Sequence, residues 1–480
     1  MARLSLFLPP PAGDYSGAAG VLFGLDCLVV LVDAGCCTRN YTEYDEPRWA
    51  RRRKTAFSAQ LRTLEAVLGD EERIVEQTAD GVHELSVSCA ALLGTPVPAV
   101  TGMNLPGIAC DVEERAGVPA LGIETCGFET YERGASRAFK ALVSRFAHAS
   151  EASAARDETA PLRVNVLGLT AQDFMGEADM QACLGWLQEA GLEIAFSTAG
   201  SYTLDDVAAA GQADASVVVA WSGLAAAREL QRRCGVPYVV GKPWCVEDAR
   251  VLAELVRKAA SGETQSDPLC LWNEEREATI SVAELANSLE TAATGEAATG
   301  TPKTTCDGTT DAREAVGGTT TSTPKPACTA AVNEAIRKAA DATLAGAAPS
   351  PILLLGEQMA MCSLRMHVRA ALAQAGLTVP VVVATRFSAD PTLAEPGDLS
   401  EIGESELIAW AHKNPGFTWV GDPLFERIPA FAGRSAAMLP HEATSSTLHA
   451  DLACRLTGDA ALLYAQKGIM ERCHQKTQAE

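Results

Sequence analysis

The sequence predicts an α/β protein built from three doubly wound domains, each with a parallel sheet. Short runs of Val, Ile and Leu carry no polar alternation, which is typical of strands covered by helices on both faces. Helical stretches alternate with these runs, and Gly stands at the joints between them. The 480 residues of the chain suffice for about three domains at roughly 150 residues each.

The first predicted domain covers residues 1–160. Its apolar runs and Gly positions indicate alternating helices and strands. The predicted elements are a buried helix at 18–24, a strand at 28–32, a strand at 96–100, a helix at 110–116 and a strand at 118–123.

The second and the last predicted domains cover residues 161–260 and 351–480. A capping box from Thr203 to Asp206 marks one helix start, because the Thr hydroxyl and the acid each satisfy an exposed amide. The other predicted elements are strands at 164–168, 193–197, 215–221, 236–240, 351–356, 379–384 and 417–420, helices at 180–190, 224–233 and 365–375, and helical structure over the C-terminal 25 residues.

Residues 261–350 differ in composition from the domains on either side. Ala, Thr, Gly and Glu dominate this segment in tracts such as TGEAATGTPKTT and GGTTTSTPKP. Such sequence buries too little apolar area to offset the entropy of ordering it. We therefore predict a low-complexity insertion or linker, with one possible helix at 281–289.

Composition excludes several classes of protein. No apolar run reaches the roughly 18 residues of a membrane span, and residues 1–13 lack the apolar core of a secretory signal, so we expect a cytoplasmic protein without a membrane partner. The formal net charge of −22 disfavours binding to nucleic acid. The 15 cysteines are an odd number and form no CxxC pair, so any metal site must gather its ligands from distant segments.

Reactive and polar residues are concentrated directly after the predicted strand at 28–32. The loop at 32–49 reads VDAGCCTRNYTEYDEPRW, and ligands of open α/β sheets bind beyond the carboxyl ends of the strands. The spacing alone also allows the alternative that Cys36 and Cys37 are adjacent cysteines without a chemical role.

This loop and several later segments together resemble the nitrogenase component 1 family. The loop is most similar to the glycine-cysteine loop of a nitrogenase-like branch found in anaerobic bacteria. The resemblance covers nearly all of the chain outside the Ala/Thr-rich segment. The further segments that carry it are LGTPVPAVTGMNLPGIACDVEERAGVPALGIETCGFETYERG at 93–134, VVVAWSGLAAARELQRRCGVPYVVGKP at 217–243, LLLGEQMAMCSLR at 353–365, GDPL at 421–424 and PHEATSS at 440–446.

The resemblance implies three Rossmann-like domains, assembly with a second subunit, and an iron-sulfur cluster, of the 4Fe-4S type, at a subunit interface. The ligand of the family's glycine-cysteine loop falls on Cys37, with Cys36 as the close alternative. A second ligand falls on Ser88 or its neighbour Cys89, of which the thiolate suits iron better. The family's third ligand position is occupied by prolines at 9–11, so two cysteines per chain would need a second copy or a similar subunit to complete the cluster.

The resemblance also bears on the substrate. The Cys that anchors the large cofactor of true nitrogenases falls near Trp221, where this chain has neither Cys nor His. We therefore expect no FeMo-type cofactor, and an organic or tetrapyrrole-like substrate instead of dinitrogen. Cys245 and His441 are candidates for contact with the substrate or for proton donation. A buried thiol and a hydrogen bond that fixes a loop are the alternative roles for these two residues.

These expectations describe a redox subunit that receives low-potential electrons. The chain has no GxxxxGK[ST] loop, so ATP use would belong to a separate iron-sulfur reductase. The segment 40–49, with Arg48 and Trp49, is the predicted docking surface, since such residue types anchor interfaces. For Asp45, Glu46 and Arg48 a solvated ion-pair loop is the alternative. Other functions consistent with the sequence are a non-catalytic scaffold that assembles a metal cofactor and a degenerate structural subunit.

Overall fold

A computed structural model describes residues 5–49, 55–69, 71–149, 160–174, 176–262, 268–273, 350–374 and 376–445. Within these ranges the strands form three separate sheets, and every pair of adjacent strands in them is parallel. Helices precede and follow the strands in the order expected for doubly wound units. The predicted fold class is therefore confirmed. None of the described helices is long and apolar enough to cross a membrane.

The first sheet has the strand order β2-β1-β3-β4. Its central strands read CLVVL and CAALL and are buried along their whole length, as strands covered on both faces must be. The strands are β1 (Cys27–Leu31), β2 (Ala56–Ser58), β3 (Cys89–Leu93) and β4 (Ala120–Ile123). The helices are α1 (Asp14–Leu22), α2 (Cys36–Asn40), α3 (Thr63–Leu68), α4 (Glu71–Leu85), α5 (Pro96–Thr101), α6 (Leu105–Ala116) and α7 (Tyr131–Phe146), with a π-helical turn at Tyr41–Asp45.

The strand predicted at 96–100 is wrong, because these residues form helix α5. Thr95 is the extended residue that begins the helix, and Pro96 takes the first helical position, where a missing N–H costs no hydrogen bond. In a central strand, Pro96 and Pro98 would each remove a ladder hydrogen bond. The strand of this region is β3, which ends one residue before Gly94.

The second sheet has the order β6-β5-β7-β8-β9. The capping box at the start of α9 is confirmed: Thr203 Oγ1 accepts from the Asp206 amide at 3.2 Å, and Asp206 Oδ2 accepts from the Thr203 amide at 2.8 Å. The strands are β5 (Leu162–Leu167), β6 (Leu192–Ser197), β7 (Ala215–Val218), β8 (Tyr238–Val240) and β9 (Leu269–Cys270). The helices are α8 (Glu177–Glu189), α9 (Leu204–Ala209), α10 (Leu224–Cys234) and α11 (Val246–Ala260), with 3-10 turns at Ala210–Gln212, Trp221–Gly223 and Leu271–Asn273.

Strand β9 corrects the predicted linker at 261–350. Residues 268–273 add a fifth strand and a 3-10 turn to the second sheet, and Leu271 is fully buried against it. The apolar group Leu269 to Trp272 interrupts the low-complexity composition and accounts for this order. The rest of that segment, including the helix predicted at 281–289, lies outside the described residues, and the predicted domain boundaries stay predictions.

The third sheet has the order β11-β10-β12-β13. The C-terminal helical structure predicted beyond it lies outside the described residues. The strands are β10 (Ile352–Leu355), β11 (Val381–Ala384), β12 (Thr418–Gly421) and β13 (Ser435–Met438). The helices are α12 (Gln358–Gln374), α13 (Glu404–Lys413) and α14 (Glu442–Ser445), with 3-10 turns at Pro391–Leu393 and Pro423–Arg427.

Hydrogen bonds join the three sheets through the loops beyond their carboxyl ends. Tyr131, which follows β4, donates its hydroxyl to Asp173, which follows β5. The amide of Trp221, which follows β7, donates to Glu357 Oε1 after β10 at 2.9 Å. The three carboxyl edges therefore meet in one region, which we call the junction.

A buried ion pair anchors the C-terminal part of the loop at 40–49 in the interior. Arg48 has only 4% of its surface exposed, and its guanidinium donates to both carboxylate oxygens of Glu46 at 2.7 and 2.8 Å. The same group donates to the Gly20 carbonyl at 2.6 Å and lies 4.2 Å from the centre of the Phe23 ring. Trp49 packs edge-on against Phe23 as well. The prediction of a solvated ion pair is therefore wrong for Glu46 and Arg48, and the buried Arg48 cannot anchor a docking partner. The predicted docking surface at 40–49, where Glu43 and Tyr44 are exposed, otherwise stays a prediction.

Replacing Arg48 by Ala should destabilise the fold strongly. The Glu46 carboxylate would stay buried without its cation, and loss of one partner of a buried pair costs about 3–5 kcal/mol. Arg39→Ala is the matched control, because Arg39 pairs with Glu43 in solvent and such a pair contributes at most about 1 kcal/mol. Denaturant unfolding of both variants measures the difference. Equal midpoints would show that the Glu46–Arg48 pair does not hold this loop.

Candidate functional site

A pair of adjacent thiols lies directly beyond the carboxyl end of β1. Gly35 takes a left-handed φ of 102°, which turns the chain at little steric cost, and Cys36 and Cys37 then begin α2. The Asp33 carboxylate fixes the turn by accepting from the Thr38 amide at 2.9 Å. Ligand atoms of Asp33, Cys36 and Cys37 lie within 4.8 Å of one another.

The two thiols differ in environment. Cys36 is exposed, whereas Cys37 is buried, with 8% of its surface accessible. Burial, reinforced by the charges of Cys36 and Asp33, raises the pKa of Cys37 to about 12. Without a metal the Cys37 thiol is therefore protonated, and a bound metal would have to displace that proton. The Cys36 thiol, in contrast, is accessible to a second chain.

Ser88 and Cys89 lie at the opposite end of the first sheet from the thiol pair, where β1 and β3 begin. Cys89 is the first residue of β3 and pairs with Cys27, the first residue of β1. The Ser88 hydroxyl donates to the Asp26 carbonyl at 2.6 Å, before β1 begins. At about 3.3 Å per residue, the length of β1 separates this edge from the thiol pair by roughly 13 Å. The structure does not bring Ser88 or Cys89 together with Cys37, so ligands from these positions cannot share one cluster within a chain.

The loop directly after β3, at the same end of the sheet as the thiol pair, begins with Gly94 and Thr95 and offers no thiol there. The Thr95 hydroxyl donates to the Val32 carbonyl at 2.7 Å. This hydrogen bond joins the ends of β1 and β3. The resemblance placed the second ligand before β3, whereas the end of the sheet shared with Cys37 is the one after β3.

Cys126 is a thiol at this edge that the sequence analysis missed. It follows β4, and its amide donates to Asp14 Oδ2 at 2.8 Å. Asp14, Cys126 and Glu129 lie close enough to hold a cation, but Arg137 already pairs with Asp14 at 3.3 Å and with Glu129 at 2.5 Å. The position after an apolar strand was the available signal for Cys126.

At the junction, Asp173 connects the first and second sheets. It is buried and accepts from the Tyr131 hydroxyl, from Thr170 Oγ1 at 2.7 Å and from Ser222 Oγ at 3.3 Å. Lys242, which follows β8, donates its ammonium to the Asp173 carbonyl at 2.8 Å. The Lys242 ammonium therefore lies close to the buried Asp173.

Glu357 brings a second carboxyl to the junction from the third sheet. Its oxygens accept from the amides of Trp221 at 2.9 Å and Ala360 at 2.8 Å. Burial, together with the negative charge of Asp173, raises the pKa of Glu357 to about 7. Burial also raises the pKa of Asp173. Two neighbouring carboxyls in a buried site favour the retention of a proton on one of them.

His441 also lies at the junction, as a neutral ring. Its Nε2 is 3.3 Å from the Tyr131 hydroxyl, and its ring lies 4.8 Å from the centre of the Phe387 ring. Burial and the charge of Lys242 lower the pKa of His441 to about 3. The structure thus brings His441 to Tyr131, while its part in proton transfer stays a proposal.

Cys245 is half-buried at the start of α11. Its thiol lies within 4.8 Å of ligand atoms of Asp248 and His367. Burial, then the negative charge of Asp248, raises its pKa to about 12. The predicted contact of Cys245 with a substrate stays untested.

Comparison with known proteins places this geometry in context. The chain is 23% identical over 198 residues to the nitrogenase iron-molybdenum cofactor biosynthesis protein NifE of Bradyrhizobium diazoefficiens, which covers 41% of this chain and 35% of that protein. The chain thus spans about a third of the length of this curated relative. Among solved structures, nitrogenase Cp1 at pH 6.5 matches with a TM-score of 0.53 at 10% identity, over 97% of this chain and 95% of that chain. This structural likeness shows the fold alone.

The family-level comparison covers a larger part of the chain than the curated relative does. The model of the nitrogenase component 1 type oxidoreductases matches residues 14–297, which include the thiol pair and the first two sheets. As this match extends over more than half of the 480 residues, the chain belongs to the nitrogenase component 1 type oxidoreductase family.

Proposed function

We propose that this chain is a subunit of a nitrogenase-like oxidoreductase that passes low-potential electrons to an organic substrate at the junction. Cys36 and Cys37 would hold an iron-sulfur cluster that passes the electrons on toward the junction. The observation that carries this proposal is that the thiol pair and the buried acid-lysine group all follow carboxyl ends of parallel strands, where α/β proteins bind ligands. Family membership supports it, because proteins of this family bind metal-sulfur clusters and work with a partner reductase.

The donor set at the thiol pair fits half of a four-thiolate cluster. Iron-sulfur clusters are held by Cys thiolates, and each chain offers two adjacent thiols, one of them exposed. A second copy or a similar subunit across a twofold axis would supply the other two. The cluster would then be shared between two chains, in agreement with the oligomeric nature of the family.

An exposed aromatic side chain beside the thiol loop supports a subunit interface there. Phe57 on β2 is 50% exposed. Its neighbour Ser58 donates to the Asp33 carboxylate at 2.5 Å, which places Phe57 next to the thiol loop. Aromatic side chains are enriched at protein interfaces, and a partner subunit here would also cover Cys36.

When bound, the cluster would supply a one-electron carrier of low potential. The residues of the junction would bind the substrate and supply its protons. Lys242 offers a positive charge to an anionic group of the substrate, and Glu357, with its pKa near neutrality, can release a proton at physiological pH. Tyr131 and His441 would hold the hydrogen-bonded chain that leads to Asp173 in place.

The residues of β7 and of the turn after it favour an organic substrate over a large metal-sulfur cofactor. Neither Cys nor His occurs from Ala215 to Gly223, and Trp221 uses its amide to fix Glu357. In this proposal the substrate is held by hydrogen bonds and charge, and no metal ligand from β7 is needed.

A scaffold that assembles a metal cofactor is the second candidate function. The similarity to a cofactor biosynthesis protein favours it, although that similarity covers 41% of this chain. A scaffold would bind a metal-sulfur product and release it to another protein, whereas the proposed reductase subunit would accept electrons and keep its cluster.

ATP-dependent electron transfer distinguishes the two functions. We expect an iron-sulfur reductase with a P-loop to reduce the anaerobically reconstituted protein when ATP is added, as followed by the visible absorption of the cluster. The control is the same reductase with its P-loop lysine replaced, which should transfer no electrons. Equal reduction by a pyridine nucleotide alone, or transfer of the metal cluster to an acceptor protein without ATP-dependent reduction, would contradict the proposal.

Loss of the thiol pair should remove the cluster. Cys36→Ser and Cys37→Ser, singly and together, should lower iron and acid-labile sulfide after anaerobic reconstitution, because iron prefers thiolate to hydroxyl ligands. Cys110→Ser, an exposed thiol on α6, is the matched control. Cys89→Ser, at the opposite sheet edge, should keep its iron. Unchanged iron in the double variant, or loss of iron only in Cys89→Ser, would refute the assignment.

Glu357→Gln should change how stability depends on pH. Glu357 ionises near its ordinary pKa in the unfolded chain and near pH 7 in the folded protein, so the folded state binds more protons between about pH 4.5 and 7. Its contribution to the free energy of unfolding is therefore present at low pH and is lost as pH rises through that window.

The Gln variant removes this pH dependence. It also loses one oxygen that accepts a hydrogen bond from a backbone amide, and the free-energy cost of that loss does not vary with pH. Its deficit relative to wild type should therefore shrink by on the order of 2 kcal/mol between pH 5 and pH 8. Denaturant unfolding at both pH values measures it, with the exposed Glu254→Gln as the control. An equal deficit at both pH values would show that Glu357 does not hold a proton near neutrality.

A further inference from the structure

A second group of metal-ligating side chains lies between the second and third sheets. Cys245 is the N-cap residue directly before α11, and Asp248 lies in the first turn of that helix. His367 belongs to α12, which follows β10 of the third sheet. One ligand atom from each of these three side chains lies within 4.8 Å of the other two.

Surrounding hydrogen bonds hold these side chains in place. Asp248 is fully buried, and its Oδ2 accepts from the Trp244 amide at 2.8 Å and lies 2.9 Å from His367 Nε2. The Trp244 indole donates to the Ala360 carbonyl at 3.1 Å. The loop before α11 and the first turns of α12 are thus fixed to each other before any ion binds, which is the preorganisation that a metal site needs.

We propose that Cys245, Asp248 and His367 form a binding site for a divalent ion of the Zn²⁺ class. A thiolate, an imidazole and a carboxylate are the ligands that zinc takes in proteins, with the fourth position left to solvent. Mg²⁺ and Ca²⁺ prefer oxygen ligands, so the sulfur and nitrogen donors exclude them as the natural occupants. This site is separate from the cluster proposed at Cys36 and Cys37 and does not depend on it.

Charge balance favours the same ion. Binding requires the Cys245 thiol to release its proton to solvent, after which the thiolate and the carboxylate together carry two negative charges and an imidazole ligand adds none. A divalent cation then makes the site neutral, which a largely buried position requires. Because Cys245 is only half-buried, solvent can reach the fourth coordination position.

The other uses of this arrangement fit less well. A nucleophilic cysteine needs a lowered pKa, whereas burial and Asp248 raise that of Cys245. The other unassigned group, Asp14 with Cys126 and Glu129, has no imidazole and is already paired with an arginine. Among the groups found in the described residues, the Cys245 group is the one that combines sulfur, nitrogen and oxygen donors.

A bound ion would link α11, which packs on the second sheet, to α12, which packs on the third. Lys242 lies three residues before Cys245, and its amide donates to Ser363 of α12 at 3.1 Å. The ion would therefore also fix the loop that carries Lys242 to the junction, which makes its ligands positioning residues for that lysine.

Titration with Co²⁺ tests the site in the full-length chain. The chain with Cys36→Ser and Cys37→Ser is used after removal of metals by a chelator, so that no cluster at the thiol pair obscures the spectrum. We expect one Co²⁺ per chain with a sulfur-to-metal absorption band and tetrahedral visible bands, and displacement of the ion by Zn²⁺. Zn²⁺ should also raise the melting temperature.

Two variants and one control complete the test. Cys245→Ser should abolish the sulfur band, and His367→Gln should weaken Zn²⁺ binding by at least about tenfold and remove the thermal stabilisation. Cys234→Ser, another half-buried thiol, should behave as the parent does. An unchanged sulfur band in Cys245→Ser, or a folded parent chain that binds no Co²⁺, would overturn the site. Either result leaves the iron measurement at the thiol pair unaffected.

Discussion

Buried carboxyl groups that accept hydrogen bonds across the junction hold the three sheets together. Glu357 of the third sheet accepts from Trp221 of the second, and Asp173 of the second accepts from Tyr131 of the first. Glu132 of the first accepts from the Ser388 amide of the third at 2.9 Å. Each acid would be costly to bury without such donors. The sheets must therefore keep this mutual arrangement, and their carboxyl ends face one shared region.

The parts of the fold that could be predicted from sequence are those whose cause is local. β1 and β10 are uniform apolar runs, and such a run by itself predicts a strand that is buried on both faces. The misassigned segment at 96–100 has equally apolar residues, and only its prolines separate a helix start from a strand. The buried state of Arg48 depends on Gly20 and Phe23, which lie more than twenty residues away, so the loop sequence alone could not reveal it.

The candidate site was predictable to a similar degree. The position of Cys36 and Cys37 after an apolar strand indicated the loop, because strand direction determines which edge a following loop occupies. Cys89 begins its strand instead, and the family resemblance that assigned the second ligand to this position does not say which end of the sheet it reaches. The contact between Trp221 and Glu357 joins residues 136 positions apart, so no local pattern contains it. Lys242 follows a predicted strand and could have been found by the rule that indicated Cys37.

Burial at the junction also limits what chemistry the proposed function permits. Near neutral pH, Glu357 and Asp173 together favour the retention of a proton, because burial raises the pKa of both carboxyls. Each electron delivered to a substrate there would add a negative charge in a region of low dielectric, where an uncompensated charge is costly. A proton must therefore accompany each electron, and an acid whose pKa lies near 7 can give one up at little cost. The carboxyls that hold the sheets together are thus also the groups suited to supply protons for reduction.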